Sequence, residues 1–368
     1  MNYKNFNDIQ LSRLGLGNMR LPSTNPNDPQ APIDWPWAHK LMKLAFDSGI
    51  NYFDTAYVYQ KGESERCVGE GIKQFNREDI YIATKYNVGA NPDYKAVFAE
   101  QLERLQTDYI DFYLIHCLMD NNLETYLNDG SIDYFLKMKE EGKIRYLGFS
   151  SHASVETLEK FASHHQWDFA QLQINYFDWV FSSTSEEYKV LEDKNIPIMV
   201  MEPVRGGRLA SLPEDVEAML KEAHPEWSIP SWALRFVKSL PQVQVVLSGM
   251  STLDQVTDNV NTFSDDYEFT EADREVLFEA ARLFKKSVSV PCTGCRYCTD
   301  DCPMKINIPE YLKAYNVMKV DGANSAKSMM NKIESEGTPS DCIGCGACMG
   351  HCPQGIDIPS VMAELKEL

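Results

Sequence analysis

Eight of the ten cysteines in this 368-residue chain fall into two tight groups near the C-terminus, and nothing else in the sequence constrains the molecule as strongly. The first group is Cys292, Cys295, Cys298 and Cys302, followed by Pro303; the second is Cys342, Cys345, Cys348 and Cys352, followed by Pro353. Both read C-x2-C-x2-C-x3-C-P. Two-residue gaps let three thiolates converge on three corners of one cubane, and the proline then redirects the chain. Gly294, Gly344 and Gly346 permit the close turns, with amides free to donate to cluster sulfurs. Zinc sites take their ligands in pairs, and disulfide frameworks belong to small secreted chains, so neither suits these runs. The pattern points to two [4Fe–4S] clusters.

The runs resemble those of bacterial-type two-cluster ferredoxins, in which the fourth cysteine ligates the other cluster. The resemblance implies one cluster on Cys292, Cys295, Cys298 and Cys352, and another on Cys342, Cys345, Cys348 and Cys302. Residues 308–336 between the groups read as mostly helical, with Ile308, Tyr311, Leu312, Tyr315 and Met318 on one face and a break at Asp321-Gly322. His351 reads as a surface residue or a neighbour of the ligands. The uneven cysteine distribution marks a boundary, giving domains at 1–285 and 286–368. Cys67 and Cys117 stand alone and read as small buried hydrophobes.

Hydrophobic residues make up 43% of the chain and charged residues 24%, an ordinary globular composition. A net charge of −19 argues against nucleic acid or an anionic membrane surface as a partner. No apolar run approaches the roughly 20 residues of a membrane span, and the first residues lack signal-peptide features. A cytoplasmic location is expected.

Eight short apolar runs punctuate the first 285 residues, at 13–17, 51–55, 80–85, 111–116, 145–150, 170–176, 196–201 and 243–248. Helix-length polar-patterned stretches separate them. Buried parallel strands read as such runs, and eight strand–helix units fit an α/β fold of the (β/α)8 TIM-barrel type. The expected architecture is that barrel followed by a small, mainly helical two-cluster ferredoxin-like domain. An open doubly wound sheet would want a G-x-G-x-x-G turn, and Gly15-Leu16-Gly17 lacks its third glycine.

Barrel chemistry sits at the C-terminal strand ends. Those ends carry Asp54 and Tyr59, Lys85, His116, Ser150 with Ser151, and Gln173 with Asn175. A tyrosine hydroxyl titrates near pH 10, too high for efficient proton transfer at neutrality. A neighbouring ammonium, itself fixed by a carboxylate, favours the phenolate. Tyr59, Lys85 and Asp54 supply that set, and His116 could hold a carbonyl oxygen where charge develops.

At these residues the sequence resembles the aldo-keto reductase family. The matching stretches run from Asn51 to Tyr59, with Gly62, Glu63, Ser64 and Glu65, then through Ala83, Thr84 and Lys85, and from Leu102 to His116. Gly142 to Ser150 and Pro203 to Gly207 follow in family order. The resemblance implies a barrel that binds NADPH or NADH and a catalytic tetrad of Asp54, Tyr59, Lys85 and His116. It also implies nicotinamide contacts at Ser150, Ser151, Gln173 and Met201, and pyrophosphate contacts at Pro203, Arg205 and Gly207. Adenosine contacts would come from Ser248, Gly249, Met250, Gln255 and Asn259. Ser151 stands where many members have Asn, and Met201 where many have an aromatic ring. Gly249 and Gln255 occupy positions that are often basic in NADPH-selective members, so both dinucleotides stay open.

Hydride transfer moves two electrons together whereas a cubane moves one, a gap most enzymes bridge with a flavin. No flavin motif is present, although barrels bind FMN without a short signature. Three readings follow: clusters that exchange electrons with the barrel site through a flavin or a radical-stabilising substrate, with a soluble electron carrier as partner; clusters that are structural or oxygen-sensing beside an ordinary carbonyl reductase; and a nicotinamide-sensing electron carrier or regulator without turnover. A small carbonyl or alcohol is the expected substrate. Met19, Tyr86 and the loops at 22–37, 118–134 and 177–185 would shape its pocket, with Trp35, Trp37 and Trp179 as aromatic walls.

Overall fold

The computed structural model describes residues 1–25, 31–286 and 288–368. Two compact units emerge. One is built on Met1–Thr24, Pro32–Val204 and Pro230–Arg274, the other on Arg205–Ile229 and Glu275–Leu368. The part of the 22–37 loop at residues 26–30 lies outside the described residues.

The first unit opens with a hairpin, β1 (Tyr3–Phe6) and β2 (Ile9–Ser12), that sequence reading missed. Eight parallel strands then close into a barrel. They are β3 (Leu14–Gly17), β4 (Tyr52–Asp54), β5 (Tyr81–Tyr86), β6 (Ile110–Leu118), β7 (Ile144–Ser151), β8 (Phe169–Gln173), β9 (Ile198–Met201) and β10 (Val243–Ser248). Each expected apolar run has become one of these strands. The register is continuous around the ring, with β10 pairing both β9 and β3.

Strand parity decides what faces inward, because successive side chains alternate across a strand. Tyr52, Ala83, Phe112, Leu114, Phe169, Met199 and Val245 form the interior layers. The hairpin seals this core by adding Phe6, Ile9 and Leu11. Phe6 lies 5.4 Å from the Phe112 ring and 4.9 Å, edge-on, from Tyr146. Truncating a buried phenylalanine of this kind to alanine costs about 3–5 kcal/mol. The opposite parity faces the helices: Tyr113 packs on Phe98 and Phe135, and Phe149 on Phe161 and Trp167.

The second unit is helical, and its two cysteine runs lead into matching structure. The first run ends in Ile306-Asn307-Ile308-Pro309, which starts the helix Ile308–Asp321; the second ends in Ile356-Asp357-Ile358-Pro359, which starts Ile358–Lys366. Proline in the first helical turn removes an N–H that has no partner there anyway. The core joins Val290, Ile306, Tyr311, Leu312, Tyr315, Val361, Met362 and Leu365 to Cys292, Cys298 and Cys348. The Gly322 break appears as expected, with φ +85° and a second helix at Ala323–Met330. Asn316 pins the approach to the first cysteines: its Oδ1 accepts from the Ser289 and Val290 amides at 2.8 and 2.6 Å, and its Nδ2 donates to Val290 O at 2.9 Å.

Candidate active site and cluster ligands

Parity carries the chemistry as well as the core. Asp54 follows Tyr52 by two residues, Lys85 follows Ala83, and His116 follows Leu114, so all three project inward at the C-terminal ends of β4, β5 and β6. The Lys85 ammonium donates to Asp54 Oδ1 at 2.7 Å, Asp54 Oδ2 at 2.8 Å and Thr55 O at 2.6 Å. Three acceptors match the three N–H bonds of an ammonium. Burial raises the Asp54 carboxyl above its usual range and lowers the Lys85 ammonium, while their attraction opposes both shifts. Removing either partner would strand a buried charge.

Tyr59 sits on a tight left-handed turn. Gln60, Lys61 and Gly62 have φ of 44°, 57° and 91°, and a Cβ on Gly62 would come within 2.5 Å of the Arg104 guanidinium. Only glycine meets both demands there. The turn leaves the Tyr59 ring centroid 5.1 Å from Lys85 Nζ and 6.0 Å, edge-on, from the His116 ring. A network behind the site locks this geometry. Glu65 accepts from Thr84 Oγ1 at 2.5 Å, Gln101 Nε2 at 2.8 Å and Arg104 at 3.0 Å. Asn18 Nδ2 donates to the Asp54 carbonyl at 2.9 Å.

His116 owes its position to a bulge. The β6–β7 register shifts between Ile115 and Leu118, and Cys117 adopts φ +58°, a strained value for a residue with a Cβ. The Cys117 amide donates to Ser150 Oγ at 2.8 Å and Tyr126 Oη donates to His116 O at 2.6 Å, which holds the bulge in place. Burial first, then Lys85 and His152, keeps the His116 imidazole well below its ordinary pKa. It is therefore neutral near pH 7, able to donate one hydrogen bond. Its Nδ1 is buried without a partner among the described residues, as is Gln171 Oε1 on β8. Orphaned buried polar atoms of this kind fit a polar ligand.

The remaining expected contacts are already engaged. Ser150 lies behind the bulge, Ser151 Oγ accepts from the Ala153 amide at 3.1 Å, and Gln173 Nε2 donates to Asp178 at 2.8 Å. Asn175 also donates to Asp178, at 2.7 Å. The Met201 sulfur accepts from Gln171 Nε2 at 3.4 Å. Asn259 donates to Ser248 Oγ at 2.9 Å across the turn after β10, where Met250 is buried and Gly249 exposed. Gln255 forms a capping box with Thr252 at the head of the helix Leu253–Thr262. Pro203 is buried, while Gly207 and Arg205 fall in the second unit. Arg205 Nη2 donates to Pro291 O at 2.9 Å. Among the residues expected to shape the substrate pocket, two pack elsewhere. Tyr86 joins Tyr94, Tyr126 and Phe135 in an aromatic cluster, and Trp179 packs on Tyr188 and Phe236.

His152 is the residue that sequence reading passed over. Burial lowers its pKa to about 4, and its charge state bears on His116. Both imidazoles have folded-state values below that of the unfolded chain, so below pH 6.5 the unfolded state binds protons that the native state refuses. Stability is therefore lost as pH falls from about 6.5 toward 4. Melting temperatures measured across that range should fall less steeply in His152→Gln than in the wild type; identical slopes would show that His152 takes no part.

The cysteines group crosswise. A small apolar cavity is lined by Cys302, Cys342, Cys345 and Cys348, with Ile306 and Met362 among its walls. The thiols of Cys292, Cys295 and Cys352 act electrostatically on Cys298, and those of Cys302, Cys342 and Cys345 on Cys348. The Gly294 amide donates to Cys292 Sγ at 3.3 Å. Among the described residues no Cys, His, Asp or Glu side chains converge closely enough to hold a single ion. Thiols set around a cavity in this way fit the corners of a cubane. His351 is exposed and pairs with Asp301 at 3.0 Å.

Residues 13–275 match the aldo/keto reductase family model. The chain belongs to the aldo/keto reductase family. It is an NAD(P)-dependent oxidoreductase, and residues 291–356 match a 4Fe-4S dicluster domain. Among curated relatives, this aldo/keto reductase is 29% identical to the uncharacterized oxidoreductase YqkF of Bacillus subtilis, over 69% of this chain and 87% of that one. It is 26% identical to the NADH-specific methylglyoxal reductase of Escherichia coli, over 76% and 97%. Among solved structures, the holo form of the aldo-keto reductase AKR11C1 from Bacillus halodurans superposes with a TM-score of 0.63 at 27% identity, covering 76% of this chain and 96% of that one. Among the described residues no helix is long and apolar enough to cross a membrane.

Proposed function

We propose that the barrel reduces a small carbonyl compound with NADH or NADPH, or runs the reverse alcohol oxidation, and that two [4Fe–4S] clusters in the C-terminal unit exchange electrons with that site. The observation that carries the first part is the convergence of Tyr59, Lys85, Asp54 and His116 at three adjacent strand ends. A bound nicotinamide supplies or accepts the hydride. Asp54 and Thr55 hold the Lys85 ammonium so that its field favours the Tyr59 phenolate, which brings the phenol within reach of proton transfer at neutral pH. The Tyr59 hydroxyl delivers the proton to the carbonyl oxygen. Neutral His116 donates a hydrogen bond to the same oxygen as negative charge develops there.

The second part draws support from the eight cysteines in their crosswise groups, carried on the same chain as the reductase site. Ser150, Ser151, Gln173 and Met201 would orient the nicotinamide ring. Gly249 and Gln255 are uncharged, but the Arg20 side chain lies against Gly249, so both dinucleotides stay open.

Anaerobic stopped-flow separates the two parts. Mixing the reconstituted protein with NADH, then NADPH, should bleach the broad cluster absorbance within the time of turnover. Methylglyoxal and simple aldehydes should drive nicotinamide oxidation. Turnover without bleaching would leave an ordinary reductase with structural clusters, and bleaching without turnover an electron carrier; neither response would overturn the whole reading.

A further inference from the structure

The two cysteine runs are repeats of one another, yet they sit in opposite electrostatic surroundings. The residue before the first cysteine of run one is Pro291, whose carbonyl accepts from Arg205 Nη2 at 2.9 Å. Arg205 is 1% exposed. Arg208, three residues on and half-buried, is linked electrostatically to Cys292, with Glu310 as a partial counter-charge. Both guanidinium charges act on Cys292. The residue before the first cysteine of run two is Asp341, a carboxylate that accepts from the Thr338 amide at 2.8 Å and hydroxyl at 2.7 Å. Exposure works the other way, since burial of Cys292 alone would disfavour the charge that reduction adds while Cys345 and Ile343 are exposed, so the arginines must offset it.

We propose that Arg205 and Arg208 tune the cluster held through Cys292, Cys295, Cys298 and Cys352, raising its reduction potential, while Asp341 lowers that of the cluster held through Cys342. Reduction adds one negative charge to a thiolate-ligated cubane. A fixed cation beside it stabilises the reduced form, and a fixed anion opposes it. Because Arg205 is buried, its field is little screened by solvent or salt. The pair therefore splits two otherwise equivalent cubanes into a higher- and a lower-potential centre. Arg205 thus acts on the cluster through charge and through Pro291, which makes it a positioning residue rather than a ligand.

This inference rests on the two-cluster reading above, and the test keeps the two apart. Iron and acid-labile sulfide are first measured in the reconstituted full-length chain, followed by an anaerobic redox titration monitored by electron paramagnetic resonance. Arg205→Gln should weaken reduction of one cluster about tenfold, which is about 59 mV for one electron, and leave the other in place. Arg208→Gln should shift the same signal in the same direction by less, and Arg205→Lys should restore most of the loss. Asp341→Asn should raise the other midpoint. Should Arg205→Gln fail to hold iron, Arg208→Gln and Asp341→Asn decide. Two cubanes whose midpoints stay unmoved, or move together, in these variants would overturn the tuning alone. Iron content below two cubanes in the wild type would remove the two-cluster reading and this proposal with it.

Discussion

Tyr59→Phe is expected to lower carbonyl turnover by about a hundred- to ten-thousand-fold, the span that a positioned proton donor contributes. The phenyl ring fills the same space, so the change removes a hydroxyl and little else. Tyr59 is nearly buried beside His116, and its ring centroid lies 5.1 Å from Lys85 Nζ. The left-handed turn at Gln60, Lys61 and Gly62 is set by its backbone angles and the glycine, so the chain should keep its course. The loss should therefore fall on kcat, with the dissociation constant for the nicotinamide close to that of the wild type. Single-turnover kinetics with a saturating aldehyde, beside a fluorescence titration of NADH, would check both halves. Full activity in Tyr59→Phe would move the proton donor elsewhere and break the proposed mechanism.

The second large effect concerns Cys352. By position along the chain it belongs to the second run, yet its thiol lies with Cys298 of the first. Cys352→Ser should therefore cost the cluster held by Cys292, Cys295 and Cys298, and iron content should fall by about half. Cys302→Ser should do the converse and empty the cavity formed with Cys342, Cys345 and Cys348. Paramagnetic resonance of the reduced protein would tell the two variants apart by which signal survives. Retention in Cys352→Ser of the signal that also survives Cys302→Ser would contradict the crossed arrangement. Cys292 and Cys298 belong to the same core as Tyr311 and Leu312, so loss of that cluster should also lower the melting temperature.

Much of the molecule could be read from residue types alone. The eight runs carried the barrel because each is short, rich in aliphatic and aromatic residues and set off from the next by a helix-length polar-patterned stretch. The tetrad was legible because Asp54, Lys85 and His116 each close a run on its inward parity. The hairpin was not: Tyr3–Phe6 carries two polar residues, and its burial depends on Phe6 meeting a barrel floor built from residues far along the chain. Neither was the bulge at Cys117, since no local residue preference demands a left-handed cysteine. Tertiary packing imposes it. His152 escaped notice for a similar reason, lying one residue beyond a serine pair that already had a role. Arg205 was read from its motif as a phosphate partner, and only the folded chain brings it to Pro291.

The second unit draws on two stretches of chain, Arg205–Ile229 and Glu275–Leu368, with a barrel strand and its helices between them. During synthesis, Arg205 leaves the ribosome well before Pro291 and the first cysteines. At about 5–20 residues per second, that delay is on the order of 4 to 20 seconds. For that interval a buried arginine has neither its carbonyl acceptor nor its thiolate neighbours. A chain ended at residue 285 would leave the 205–229 segment permanently in that condition. That earlier segment therefore waits for the C-terminal stretch, whose arrival supplies the Pro291 carbonyl that Arg205 bonds.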